Sequence, residues 1–193
     1  KPGILHAGWG AREANEWRDY ANWLRDAYDY PTEYLDTDAL RAVCNSPVYS
    51  GGVLDRDAGH LHPLRYVLGL ARAAETTSVR IFERTEATRI TDGAVTTPHG
   101  TIRASHIVVA GNGYLPDLEP AISARVMPIN SFIAATEPLG DRADMVLSQD
   151  IAVADERFVV NYFRLSEDRR LLFGGRESYT LGFPSDILTA LHK

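Results

Sequence analysis

Only one cysteine, Cys44, occurs in the 193 residues, so no internal disulfide can form and a secreted disulfide scaffold is excluded. Apolar runs are short: residues 107–110 are typical of the longest, far below the roughly 20 residues that a bilayer-spanning helix needs. Basic residues are in deficit, 20 Lys and Arg against 26 Asp and Glu, and the formal net charge is −6. That balance argues against nucleic acid or an anionic membrane surface as the main partner. No complete Gly-x-Gly-x-x-Gly is present. Gly111-Asn112-Gly113 lacks the third glycine and a following helix, so it is not a pyrophosphate loop. No Ser-His-Asp arrangement, CxxC pair or basic-aromatic track stands out. The start, Lys1-Pro2-Gly3, lacks Met and the charged and apolar regions of a signal peptide, and Ala190-Leu191-His192-Lys193 falls within an opening helix. Such ends read as those of a piece of a longer, cytoplasmic polypeptide.

What is present is ordinary globular material, 45% hydrophobic and 24% charged, in a chain long enough to bury a real core. Trp17, Ala21, Leu24 and Tyr28 recur at helical spacing within residues 12–30, and Pro31 ends that helix. A shorter helix follows over 37–44, capped by Asp36 or Thr37, with Leu40 and Val43 inward. Residues 48–54 form a strand in which Gly51-Gly52 marks a bulge or a close backbone approach. Pro63 opens a helix with a stripe of Leu64, Val67, Leu68, Ala71 and Ala74. Residues 79–83 read as a strand, 85–91 and 94–97 as a hairpin about Asp92-Gly93, 101–105 as a third strand, and 106–110 as a fully buried one. Later come strands at 126–137, 151–154, 158–165 and 171–175, a short helix at 141–147 and a helix capped by Ser185. The fold class is α+β with mixed α/β character: an α/β part containing a β-meander, and an antiparallel-sheet part.

Several residues suit chemistry. Ala110-Gly111-Asn112-Gly113 ends an apolar strand with small residues, which lets a ligand approach backbone amides. Asp55, Asp57, His60 and His62 fall within eight positions, and these side chains can serve a divalent metal. No outside ligand set is evident and Asp-Arg-Asp-Ala-Gly is turn chemistry, so we expect no metal. A polar loop lining a cavity is expected instead, with either His able to handle a proton near neutral pH. Tyr162 and Arg164 alternate along one strand and share a face, where a hydroxyl and a guanidinium can grip a carboxylate; a cross-strand pair on a solvated face is the equal alternative. Cys44 reads as a small buried hydrophobe, and the acids of the first helix as a solvated face.

Residues 51–66 (GGVLDRDAGHLHPLRY), 69–74, 79–90, 106–114, 125–128, 135–139, 161–165 and 171–175 together resemble the FAD-dependent oxidoreductases of the D-amino-acid oxidase superfamily, which includes glycine oxidase and sarcosine oxidase. The likeness is strongest to the gamma-glutamylputrescine oxidoreductase branch. The resemblance implies a FAD-binding α/β domain interleaved with an antiparallel substrate domain: 1–58 and 119–193 on the substrate side, 59–118 on the FAD side. It implies FAD contacts at Ala87, through backbone, and at Ala110, Gly111, Asn112 and Gly113. His60, His62, Tyr162 and Arg164 are implied to line the flavin–substrate cavity. The family's Gly-x-Gly-x-x-Gly would precede Lys1, and its C-terminal glycine-rich stretch would follow Lys193. At position 87 the family usually has valine. The implied reaction is hydride transfer from the carbon beside an amine nitrogen to flavin, with O₂ as acceptor and a small-molecule amine as partner. The alternative is a catalytically inert fragment or interaction domain that does not bind FAD by itself. No motif speaks to oligomeric state.

Overall fold

The computed structural model describes residues 2–115, 118–127 and 129–178. In chain order its elements are β1 (Pro2–Gly8), α1 (Ala11–Tyr28), β2 (Glu33–Asp36), α2 (Thr37–Val43), β3 (Gly51–Gly59), α3 (Pro63–Thr76), β4 (Arg89–Thr91), β5 (Ala94–Thr97), β6 (Gly100–Arg103), α4 (Pro120–Ser123), β7 (Asn130–Ala135), a 3₁₀ turn (Gly140–Met145), β8 (Ala152–Asp155), β9 (Tyr162–Leu165) and β10 (Leu171–Ser178). The chain divides into two compact units, residues 1–61 with 130–193, and residues 62–129. The helix expected to start at Ser185 lies outside the described residues.

The first unit is a seven-stranded sheet in the order β2-β3-β1-β8-β9-β10-β7. Every pair is antiparallel except β1 with β8, so the expected antiparallel part carries one parallel pair and the sheet is mixed. A parallel pair needs a long crossover, and here everything from α1 to the 3₁₀ turn lies between the two strands. Neither β1 nor β2 was evident from the sequence. Leu5 and Ala7 of β1 alternate into the core with Leu54, Val153 and Phe163, joined by Leu40 and Val43 from α2 and by Cys44 just after it. Asp36 is the cap of α2, its Oδ1 accepting from the Ala39 N–H at 2.9 Å.

Residues 55–59, expected as a loop, continue β3. Gly52 permits the close approach of β1: a Cβ there would lie 2.3 Å from the His6 carbonyl oxygen. α1 packs Ala14 and Ala21 on the opposite face of the sheet, above β1 and β3. Tyr28, expected on the buried stripe, is 64% exposed. Its ring turns outward, edge-on to Trp23 at 4.9 Å, just before left-handed Asp29 ends the helix.

In the second unit, β4, β5 and β6 form the expected antiparallel meander, turning at Gly93 with φ 70°. Two expected strands are not formed. Residues 79–83 and 106–110 pair with no strand among the described residues, and Val108 is 88% exposed. Their apolar composition signals burial, but a strand exists only with a neighbour to complete its ladder. Likewise the apolar stripe of α3 buries no residue.

Candidate active site

Register carries His6, Ala154, Tyr162, Gly174 and Ile133 across one row of the sheet, all on the face away from the core. A second row holds Ile4, Ala152, Arg164, Leu172 and Ala135. α1 covers the β1 and β3 end of this face, while the β7 end is open, with Ile133 60% exposed. Small Ala152 and Ala154 lie between them and leave the platform low.

Tyr162 and Arg164 share this face, as their spacing predicts, but their polar ends diverge. The Tyr162 hydroxyl lies 3.0 Å from Ser131 Oγ on β7. Arg164 donates from Nη1 to the Leu165 carbonyl and acts electrostatically on His60. His60 follows β3, and its side chain is only 7% exposed. Its Nε2 is 3.4 Å from the Asp150 carbonyl oxygen and 3.7 Å from Asp150 Oδ1. Burial pushes the imidazole below its ordinary value; Asp150 opposes that shift and Arg164 adds to it. The site thus favours the uncharged form of His60 more than water does. His62 lies in the other unit as the cap of α3, its Nδ1 accepting from the Arg65 N–H at 3.4 Å.

Asp55 is engaged by local donors. Its Oδ1 takes the Tyr30 hydroxyl and the N–H groups of Asp57 and Ala58, each at 2.9 Å. Among the described residues no group of three His, Cys, Asp or Glu side chains is arranged to hold a metal ion. Cys44 is buried and inert, its thiol pushed up to about 11 by desolvation.

One feature of this face was missed in the sequence. A cavity of about 500 Å³ opens between α1 and the sheet, walled by Trp17, Tyr20 and His6 and edged by Glu13, Glu16 and Asp55. His6 stacks on Trp17 with centroids 5.0 Å apart, and Trp17 Nε1 donates to Glu156 at 3.0 Å. Glu13 stands one turn before Trp17, so it shares the inward stripe rather than the solvated face. That i, i+4 relation is the signal that locates it.

Burial also lowers His6, with Asp55 opposing. Both imidazoles therefore bind protons more readily when unfolded, and their contribution to stability is lost as pH falls below the ordinary value of 6.5. Urea unfolding midpoints are expected to drop on acidification from pH 7 to pH 5, and a His6→Phe/His60→Gln double variant to flatten that slope.

In the second unit a cavity of about 580 Å³ is lined by Ala87, Ala110 and Gly111 together with apolar Ile90, Val95 and Val109. Its walls, built from the 85–91 and 106–111 segments, are mostly apolar, chemistry that fits a flat aromatic ring such as FAD carries. The space beside Gly111 is taken by Leu115, since a Cβ there would lie 2.4 Å from Leu115 Cδ2. Asn112 is left-handed, with φ 49°, and neither it nor Gly113 lines the cavity.

The comparisons agree with this architecture. A family model described as FAD dependent oxidoreductase matches residues 1–192. The probable oxidoreductase OrdL of Rhizobium meliloti (strain 1021) is 41% identical over 191 residues, which cover 96% of this chain and 44% of that protein. The gamma-glutamylputrescine oxidoreductase of Escherichia coli (strain K12) is 36% identical over 171 residues, 86% of this chain and 40% of that protein. Thus the chain spans less than half the length of the curated relatives it matches. In fold it resembles glycine oxidase from Geobacillus kaustophilus, with a TM-score of 0.77 at 16% identity over 99% of this chain and 52% of that one. It also resembles L-proline dehydrogenase from P. horikoshii, with a TM-score of 0.76 at 15% identity over 99% and 54%. No described helix is long and apolar enough to cross a membrane. The chain belongs to the DAO family of FAD-dependent oxidoreductases.

Proposed function

We propose that this chain is part of a cytoplasmic oxidoreductase that oxidises a small amine carrying a carboxylate, and that γ-glutamylputrescine, named in one relative, is a member of the substrate class. The observation that carries the reading is the open sheet face, with Arg164 and Tyr162 at one end and the cavity under α1 at the other. The substrate side, expected over 1–58 and 119–193, and the FAD side, expected over 59–118, are read here with the bounds of the two compact units, residues 1–61 with 130–193 and residues 62–129. Ala87, Ala110 and Gly111 would hold the adenine end of the cofactor, with Asn112 and Gly113 just beyond. When bound, FAD supplies the acceptor for a hydride from the carbon beside the amine nitrogen, with O₂ as the proposed final acceptor.

The residues of this chain bind and orient. Arg164 carries a permanent charge and a planar fork suited to a carboxylate. His60, whose burial disfavours its charged form, adds little competing positive charge. Glu13, Glu16 and Asp55, with the rings of Trp17 and Tyr20, complement the positive charge of an ammonium group. His62, bonded as a helix cap, contributes by fixing the start of α3.

Arg164→Ala in the flavin-loaded protein is expected to raise KM for γ-glutamylputrescine about tenfold or more, the cost of losing a charged hydrogen bond. An amine without a carboxylate should be turned over equally by both. Steady-state kinetics with the two substrates checks this; equal losses on both would remove Arg164 from carboxylate binding.

A further inference from the structure

We propose that Ser131 and Gly174 form a seat for Tyr162, and that Ser131 is a positioning residue which fixes the phenolic hydroxyl on the substrate face. The proposal rests on the reading of that face given above. Tyr162 starts on β9, yet its hydroxyl is bonded to Ser131 on β7, with β10 between them. The ring can cross β10 because Gly174 stands directly opposite Tyr162 and has no side chain. A Cβ at 174 would lie 2.2 Å from Tyr162 Cζ and 2.6 Å from its hydroxyl oxygen. The phenol thus lies flat over the backbone of β10 rather than standing off the sheet. Beyond it, β7 alternates so that Ser131, Ile133 and Ala135 face outward, which brings Ser131 Oγ to 3.0 Å from the hydroxyl.

The chemistry of the pair follows from its donor inventory. Two hydroxyls in contact share one hydrogen bond, so one proton and several lone pairs remain for a third group. When Ser131 donates to Tyr162, the phenolic O–H is free to donate to a substrate acceptor. When Tyr162 donates, its oxygen still accepts from a substrate N–H. Ser131 sets where that hydroxyl sits without itself carrying a charge. Because Arg164 donates to the Leu165 carbonyl while the Tyr162 hydroxyl lies against Ser131 of β7, the two address different groups of one substrate, not a single carboxylate. This replaces the joint grip that their shared face alone implied.

The test is a mutant cycle in the flavin-loaded full-length protein, with γ-glutamylputrescine as the probe. S131A is expected to lower kcat/KM about five- to tenfold, the loss of one hydrogen bond. S131T, which keeps the hydroxyl on a residue suited to a strand, should restore it to near the parent value. In a Y162F background S131A should have no further effect. A second readout needs no turnover: 3-fluorotyrosine at position 162 should give a ¹⁹F resonance that moves in S131A and returns in S131T. An unmoved resonance, or S131A and Y162F effects that simply multiply, overturns the seat. Unchanged kcat/KM in Y162F alongside a moved resonance overturns the underlying reading of the face, and the substrate role of the seat with it, while leaving the hydrogen bond established.

Discussion

Replacing Asp155 with alanine is expected to cost about 3 kcal/mol of stability, because the donors that converge on this buried carboxylate lose their acceptor together. Asp155 is only 5% exposed. Its Oδ2 accepts from Trp9 Nε1 and Asn161 Nδ2, both at 2.7 Å, and from the Tyr49 hydroxyl at 3.5 Å. Its Oδ1 accepts from the N–H groups of Asn161 at 2.9 Å and Arg157 at 3.3 Å. The carboxylate therefore closes the β8–β9 turn and ties it to β1 through Trp9. The urea midpoint should fall with an unchanged slope. Since Asn161 directly precedes Tyr162, the ¹⁹F resonance described above should also broaden or shift. A midpoint equal to the parent's would mean that water replaces the carboxylate at little cost and that the turn holds itself.

A valine at Gly52 is expected to be worse, about 4 kcal/mol or more, at the exceptional end for single substitutions. Its Cβ would meet the His6 carbonyl oxygen at 2.3 Å and the Ala7 Cα at 3.1 Å. Both are backbone atoms of a paired strand, so neither can swing aside, and relief requires β1 to part from β3. The core residues Leu5 and Leu54 meet at that pairing. Gly69 supplies the control. It sits within α3, and a Cβ there meets nothing within 4 Å. Gly69→Ala is expected to stabilise by up to about 1 kcal/mol through helix propensity. Circular dichroism followed in urea distinguishes the two. A folded G52V protein with the parent's midpoint would contradict the described β1–β3 approach.

These two sites mark where the sequence could be read and where it could not. Gly51-Gly52 was legible as a close approach because glycine inside a strand has few other uses. The Asp92-Gly93 hairpin and the start of α3 at Pro63 were legible for similar local reasons. β1 and β2 were not: four to seven residues of weak alternation look like loop until a partner strand is known. The parallel β1–β8 pair joins residues nearly 150 positions apart, with no local signature. At the site, the two-residue period correctly put Tyr162 and Arg164 on one face. Where the Tyr162 hydroxyl points depends on Gly174 and Ser131 on neighbouring strands, set by register rather than by spacing. The cavity under α1 was hidden for the same reason: the spacing of Glu13 to Trp17 marks an inward stripe, but the floor beneath it exists only once the sheet is in place.

The central claim is that this face orients an amine for oxidation by flavin. Mixing the flavin-loaded protein with γ-glutamylputrescine under anaerobic conditions and following the oxidised-flavin absorbance tests it most directly. The band should bleach within the turnover time, more slowly in Arg164→Ala and Tyr162→Phe, and admitting O₂ should restore it. A band that persists with γ-glutamylputrescine and with simpler primary and secondary amines, in protein that retains FAD, would contradict it.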